Sequence, residues 1–185
     1  MTKLIKSVAL GAAALGILVL AGCGNSPQET GEPHYKIGIV QLVEHSALDD
    51  ASRGFVDGLK ARGFEEGKNV AIDRQNAQAD QSNLQNIVQR FISDKVNLIC
   101  AIATPSVQSA ANATKEIPIV GTAVTDYVSA KVVQSSAMPG GNVTGTSDMS
   151  PISDQIDLLL KLYPNAKTIG TIYSSSEVNS EIQVK

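Results

Sequence analysis

The sequence predicts an α/β fold: one complete, doubly wound, parallel-sheet lobe over residues 35–148 and the start of a second over 149–185. Three observations predict it. From Tyr35 onward, short β-rich apolar runs alternate with longer stretches of helical periodicity. Two of those runs, NLICAIAT (97–104) and IPIVGTAVT (117–125), are apolar almost throughout, as strands covered on both faces are. After residue 148 the alternation begins again. Such alternation implies βαβ units, which right-handed crossovers wind into a sandwich of helices around a sheet.

The elements follow in order. YKIGIVQL (35–42) is a short β-rich run. In ALDDASRGFVDGLKARG (47–63), Leu48, Ala51, Phe55 and Leu59 recur at helical spacing, and Gly63 supplies a C-terminal cap. NVAIDRQNA (69–77) alternates Val70, Ile72 and Arg74 in the manner of a strand. DQSNLQNIVQRFISDK (80–95) gathers Leu84, Ile87, Val88, Phe91 and Ile92 on one helical face. The apolar strand 97–104 leads into a helix over 105–116, with Pro105 favourably placed in its first turn. After the strand 117–125, DYVSAKVVQS (126–135) reads as a short helix, and the turn Pro139-Gly140-Gly141 introduces a strand over 142–148. The second lobe would begin with a helix over 153–166, carrying Ile156, Leu159, Leu160 and Tyr163 inward. A strand (167–174) and the opening of another helix toward residue 185 would follow.

The residues before Tyr35 read differently. Lys3 and Lys6 precede an apolar run of 14 residues (8–21), too short for a spanning helix of about 20 residues but suited to a secretory leader. Leu20-Ala21-Gly22-Cys23 resembles the lipobox of bacterial lipoproteins. That resemblance implies a signal peptide (1–22) removed before Cys23, whose sulfur receives a diacylglycerol; two acyl chains anchor stably where one would be marginal. A plain secretory signal with an incidental cysteine is the simpler alternative. Residues 23–34, rich in Gly, Pro and polar residues, read as a tether.

Composition excludes several classes. Without the leader, thirteen basic and eighteen acidic residues remain, a net charge of −5, with no electrostatic footprint for nucleic acid. Cys100 lies in an apolar run and reads as a buried small hydrophobe. No cysteine pair has metal-site or disulfide-framework spacing, and no metal or other cofactor is implied. No G-x-G-x-x-G follows the first strand and no G-x-S-x-G occurs, so neither a dinucleotide fold nor a hydrolase elbow is indicated. Gly63 to Asn69 resembles a P-loop but is one residue short, has Asn in place of Ser/Thr, and follows a helix; it reads as a turn. The chain reads as a non-enzyme.

In open α/β sheets ligands bind beyond the carboxyl ends of the strands. Those ends carry Gln41, Glu44, His45 and Ser46, then Thr104 and Ser106. Thr122, Thr125 and Asp126 follow, then Ser147 and Asp148, and finally Ser174, Ser175, Ser176, Glu177 and Asn179. Hydroxyls and backbone N–H groups at helix N-termini suit a carboxylate, and Asp or Glu suits an ammonium, so the set matches a small zwitterion. Thr104, Asp126 and Ser153 serve equally well as helix N-caps.

Ile39-Val40-Gln41 followed by Glu44-His45 and GFVDGLKARGF, then NAQADQSNLQNIVQ, AIATPSVQSAANAT, IPIVGTAVTD, PGGNVTGTSD and YSSSEVNS, resembles the substrate-binding lipoproteins of ABC transporters for tryptophan and other aromatic amino acids. The resemblance runs from about residue 35 to the end of the sequence. It implies a periplasmic-binding-protein type I-like fold, with two similar lobes closing by a hinge on an amino acid, and delivery to a permease. The implied ligand contacts are Gln41, Glu44, His45, Thr104, Pro105, Thr125 and Asp126 in the first lobe and Ser175, Ser176, Glu177 and Asn179 in the second, with Asp148 near the hinge. Tyr127 stands where proline is expected in many members, which bears on ligand preference. The implied place is the extracytoplasmic face of the membrane, held through Cys23. By the same resemblance the second lobe should continue far beyond Lys185, so that 149–185 would lack support and ligand affinity would be low. A membrane-anchored single-lobe sensor or interaction domain without a transport role is the alternative.

Overall fold

The computed structural model describes residues 34–185; the leader, the lipidation site Cys23 and all but the last residue of the tether lie outside the described residues. Five strands form one parallel sheet: β1 (Tyr35–Gln41), β2 (Val70–Asn76), β3 (Leu98–Ile102), β4 (Ile119–Val124) and β5 (Val143–Ser147), in the order β2-β1-β3-β4-β5. Between them run α1 (Ser46–Ala61), α2 (Gln81–Ser93) and α3 (Thr104–Ala113); α4 (Ile152–Leu162) and α5 (Val178–Val184) follow β5.

The order places helices on both faces. On one, Leu84, Val88 and Phe91 of α2 and Val107, Ala110 and Ala111 of α3 bury against Val40, Ile99, Ala101, Ile119 and Val124. On the other, Leu48, Ala51, Phe55, Val56 and Leu59 of α1 cover Ile37, Ile39, Val70, Cys100 and Ile102. Phe91 reaches the sheet because residue 38 is glycine: a Cβ there would sit 2.5 Å from the ring. Cys100 is fully buried, and burial pushes its thiol up to about 12.

Caps set the helix ends. The His45 ring nitrogen Nδ1 accepts from the Ala47 amide at the start of α1, and the Asp80 carboxylate accepts from the Asn83 amide at the start of α2. The α1 C-terminus closes with Gly63 in the left-handed region (φ 85°), its N–H on the Lys60 carbonyl and that of Phe64 on Leu59. Asn69 then ties the 63–69 segment into a turn, donating to the Gly63 carbonyl at 2.9 Å and accepting from Glu65 N–H at 2.8 Å.

Two expected elements do not form. Residues 126–135 make a capped turn rather than a helix. Ala130 N–H bonds to the Asp126 carbonyl and Val132 N–H to Tyr127, but Lys131 enters the left-handed region (φ 59°) and the coil ends. Residues 167–174 are not a strand: among the described residues nothing pairs with them, and Ile172 is fully exposed. A strand is defined by its neighbour's hydrogen bonds, so an apolar β-rich run without a neighbour stays irregular.

Candidate functional site

All five strands are parallel, so their carboxyl ends share one edge of the sheet. The connection from β1 turns toward β2, whereas β3 lies on the other side of β1. The strand order therefore reverses between β1 and β3, and the crevice at that point is where open α/β sheets bind ligands. The loop after β1 and the start of α3 flank it.

On the β1 side, Gln41 ends the strand and is buried. Its amide donates to the Val43 carbonyl at 2.8 Å and to the Asp49 carboxylate at 2.6 Å, fixing the 41–45 loop onto α1. Glu44 is exposed, and a cleft of about 490 Å³ opens beside it, lined by Gln41, Glu44, Asp49, Arg53, Arg74 and Asn76 among others. Arg74 donates bidentately to Glu66 at 2.7 Å, which lowers the Glu66 pKa and raises that of Arg74. Asp49 was not among the residues the sequence singled out; its place in the first turn of α1, immediately after the rim loop, was the available signal. His45 is exposed and spends Nδ1 on its cap.

On the β3 side, the chain enters α3 through Ala103 at φ 81°, ψ 153°, a conformation costly for any residue but glycine. No side chain caps α3. Thr104 is thus not an N-cap but the first residue of the helix; it is buried, as is Ser106, whose hydroxyl has no hydrogen-bond partner. Pro105 fills the first turn without a donor to satisfy. An uncapped helix start is an electropositive end; here Ser106 and Val107 N–H bond to the Ala103 carbonyl, Pro105 has no N–H, and Thr104 N–H is the amide without a partner among the described residues.

Beyond β4, Thr125 is buried and its carbonyl accepts from the Ser147 hydroxyl at 2.6 Å. Asp126 is the one residue of the three alternatives that does cap, its carboxylate accepting from Ser129 N–H at 2.7 Å. Asp148 N–H bonds to the Val124 carbonyl at 3.0 Å, and its carboxylate faces solvent. Tyr127 binds these pieces together. Its ring lies over Gly121 and Gly145, where a Cβ would stand 2.5 and 2.0 Å from the phenol oxygen, and its hydroxyl donates to the Thr146 carbonyl at 3.2 Å. Burial, and then the Asp148 charge, push its pKa up to about 12. The two glycines were the sequence signal for this ring, legible only once the β4–β5 pairing is known.

The remaining predicted residues gather separately around the start of α5. Ser174 and Ser176 share a hydrogen bond of 3.1 Å, Ser175 lies in the adjoining turn, and Glu177 occupies the N-cap position. Asn179 donates to Glu177 at 3.2 Å, while its side-chain oxygen is buried without a partner. None of the five hydrogen-bonds to a first-lobe rim residue among the described residues. Among those residues no helix is long and apolar enough to cross a membrane, and no His, Cys, Asp and Glu group could hold a metal.

Known proteins share this arrangement. The tyrosine-binding protein of Clostridioides difficile is 50% identical over 182 residues, covering 94% of this chain and 53% of its own. The structure of an ABC domain from Streptococcus pneumoniae in complex with L-Trp is 42% identical with a TM-score of 0.79, matching 82% of this chain and 51% of that one. A ligand-free, open substrate-binding protein with adhesive properties from Clostridium difficile is 53% identical with a TM-score of 0.68, at 81% and 51% coverage. The chain thus spans about half the length of the relatives it matches. Its fold is type I periplasmic-binding-protein-like, and the ABC transporter substrate-binding protein model matches residues 36–185. With the family model matching nearly all the described residues, the chain belongs to the ABC transporter substrate-binding protein family.

Proposed function

We propose that this chain contributes the first-lobe half of an amino-acid site, as the extracytoplasmic binding component of an ABC importer that hands its ligand to a permease and is anchored through Cys23. The observation that carries the reading is the uncapped start of α3, with Thr104 and the unpartnered Ser106 hydroxyl beside the β1–β3 crevice. The Thr104 N–H and the Thr104 and Ser106 hydroxyls at a positive helix end suit an α-carboxylate. Glu44, Asp49 and Asp126 at the same sheet edge supply carboxylates for an ammonium. Relatives named or solved with tyrosine and tryptophan support an aromatic amino acid as the ligand. Gln41, His45, Pro105 and Thr125 shape that rim, and Asp148 stands where the chain leaves it. Ser175, Ser176, Glu177 and Asn179 would face the ligand from the second lobe.

Amide chemical shifts during titration with L-tyrosine and with tyramine, which lacks the carboxylate, test this. L-Tyrosine should move the Thr104 and Ser106 resonances and tyramine should not. Equal responses to both, or none at Thr104, would refute the carboxylate site.

A further inference from the structure

Gln41 is a buried amide with one end already committed. Its Nε2 donates to the Val43 carbonyl at 2.8 Å and to the Asp49 carboxylate at 2.6 Å. An amide nitrogen carries two N–H groups, so both are spent. The other end of the amide could not take its place, because a main-chain carbonyl and a carboxylate only accept. The two partners therefore fix which way the amide points. Gln41 lines the cleft beside Glu44, and whatever meets it there must donate to its Oε1. The charges around that cleft narrow the donor. Arg53 and Arg74 line it too, but Arg53 pairs with Asp50 and Arg74 with Glu66. Glu44 and Asp49 line it without an ion-pair partner among the described residues. Two carboxylates in excess favour a cation over a neutral hydroxyl or indole N–H.

We propose that Asp49 is a positioning residue: it locks the Gln41 amide with its carbonyl oxygen toward the cleft, so that Gln41 recognises the ligand's ammonium group as an acceptor. The assignment rests on the amino-acid site proposed above and gives the amine end to Gln41, as Thr104 takes the carboxylate. Gln41 pairs in register with Ile102, two residues before Thr104, so the two groups stand at the ends of adjacent strands. An acid in the first turn of a helix is ordinary, since it complements the helix dipole. Asp49 does that and also reaches back to hold an amide on β1, and it acts on the ligand through that amide.

Side-chain resonances of Gln41 in the full chain test the idea in two steps. Without ligand, Asp49→Ala should release one N–H and speed exchange of the Gln41 side-chain protons with water about tenfold. Asp49→Asn, which keeps an acceptor oxygen, should restore most of the protection. With ligand, L-tyrosine should move the Gln41 side-chain carbonyl carbon. Its desamino analogue, 3-(4-hydroxyphenyl)propionate, keeps the carboxylate and the phenol and should move Thr104 but not Gln41. Asp49→Ala should weaken L-tyrosine about tenfold more than the analogue, a split that mere loosening of the loop would not produce. Unchanged Gln41 protons in Asp49→Ala, a Gln41 response equal for the two ligands, or affinities that fall together would overturn the proposal. Thr104 responding to L-tyrosine while Gln41 stays silent would overturn it and leave the carboxylate site standing. Gln41 responding while Thr104 stays silent would uphold it and refute the carboxylate site.

Discussion

Helices α2 and α4 carry the same kind of message and meet opposite fates. Both space apolar residues at helical intervals and leave the other face polar. In α2, Leu84, Val88 and Phe91 vanish from solvent against the sheet. In α4 no residue is buried; Ile156, Leu160 and Tyr163, which the spacing turns inward, are 36%, 39% and 68% exposed. The contrast extends to the strands. β3 and the 167–174 run both read as strands in the sequence, yet one is the sheet's centre and the other is irregular. Periodicity marks which face is meant to be covered, and only a neighbouring element turns that face into core.

The largest expected effect falls on the covered side. Phe91→Ala removes a fully buried ring that packs over Gly38 and should destabilise the chain by about 3–5 kcal/mol, read from urea unfolding monitored by circular dichroism. A loss below about 1 kcal/mol would mean that α2 docks no more firmly than α4, and the comparison would collapse.

A smaller effect comes from the boundary between the two regions, where Tyr127 pins β5 to β4. Tyr127→Phe keeps the ring over the glycines and loses the bond to the Thr146 carbonyl, at a cost of about 1 kcal/mol. The pH dependence separates this from simple loosening. The phenol is raised from its ordinary 10.0 to about 12 in the folded chain. Its neutral form is thus favoured by folding. That contribution is complete below pH 10 and is lost as pH rises toward about 12. Wild-type stability should fall over that interval, and the Phe variant should fall less. Identical alkaline limbs in the two proteins would place Tyr127 in solvent.

How much of this was legible follows the same logic. The five strands, three crossover helices and parallel order of the first lobe could be read because each element's pattern agrees with its neighbours'. The rim positions of Gln41, Thr104 and Thr125 were legible because a parallel sheet sends its carboxyl ends to one side, and the family resemblance was carried by the motifs themselves. The 126–135 helix failed because Tyr127 turns onto two distant glycines, a contact that local periodicity cannot register. The 167–174 strand failed because its β-rich composition was taken without a partner. Asp49 escaped notice as an ordinary first-turn acid, until the Gln41 amide was seen to hold it.

The smallest effect is the most discriminating. Leu158→Ser and Leu162→Ser each replace a large apolar side chain in a strongly patterned helix, a change that at a core position would cost several kcal/mol. With both residues more than half exposed, no cavity forms and little transfer energy is lost. The change in unfolding free energy should stay within about 0.5 kcal/mol. The substitutions should instead raise solubility, since they thin exposed apolar surface that continues from Leu162 to Tyr163 and Ile169. If the double variant loses more than about 1 kcal/mol, some other surface covers α4 in solution. The difference between α2 and α4 would then lie in which partner each helix has, rather than in whether it has one.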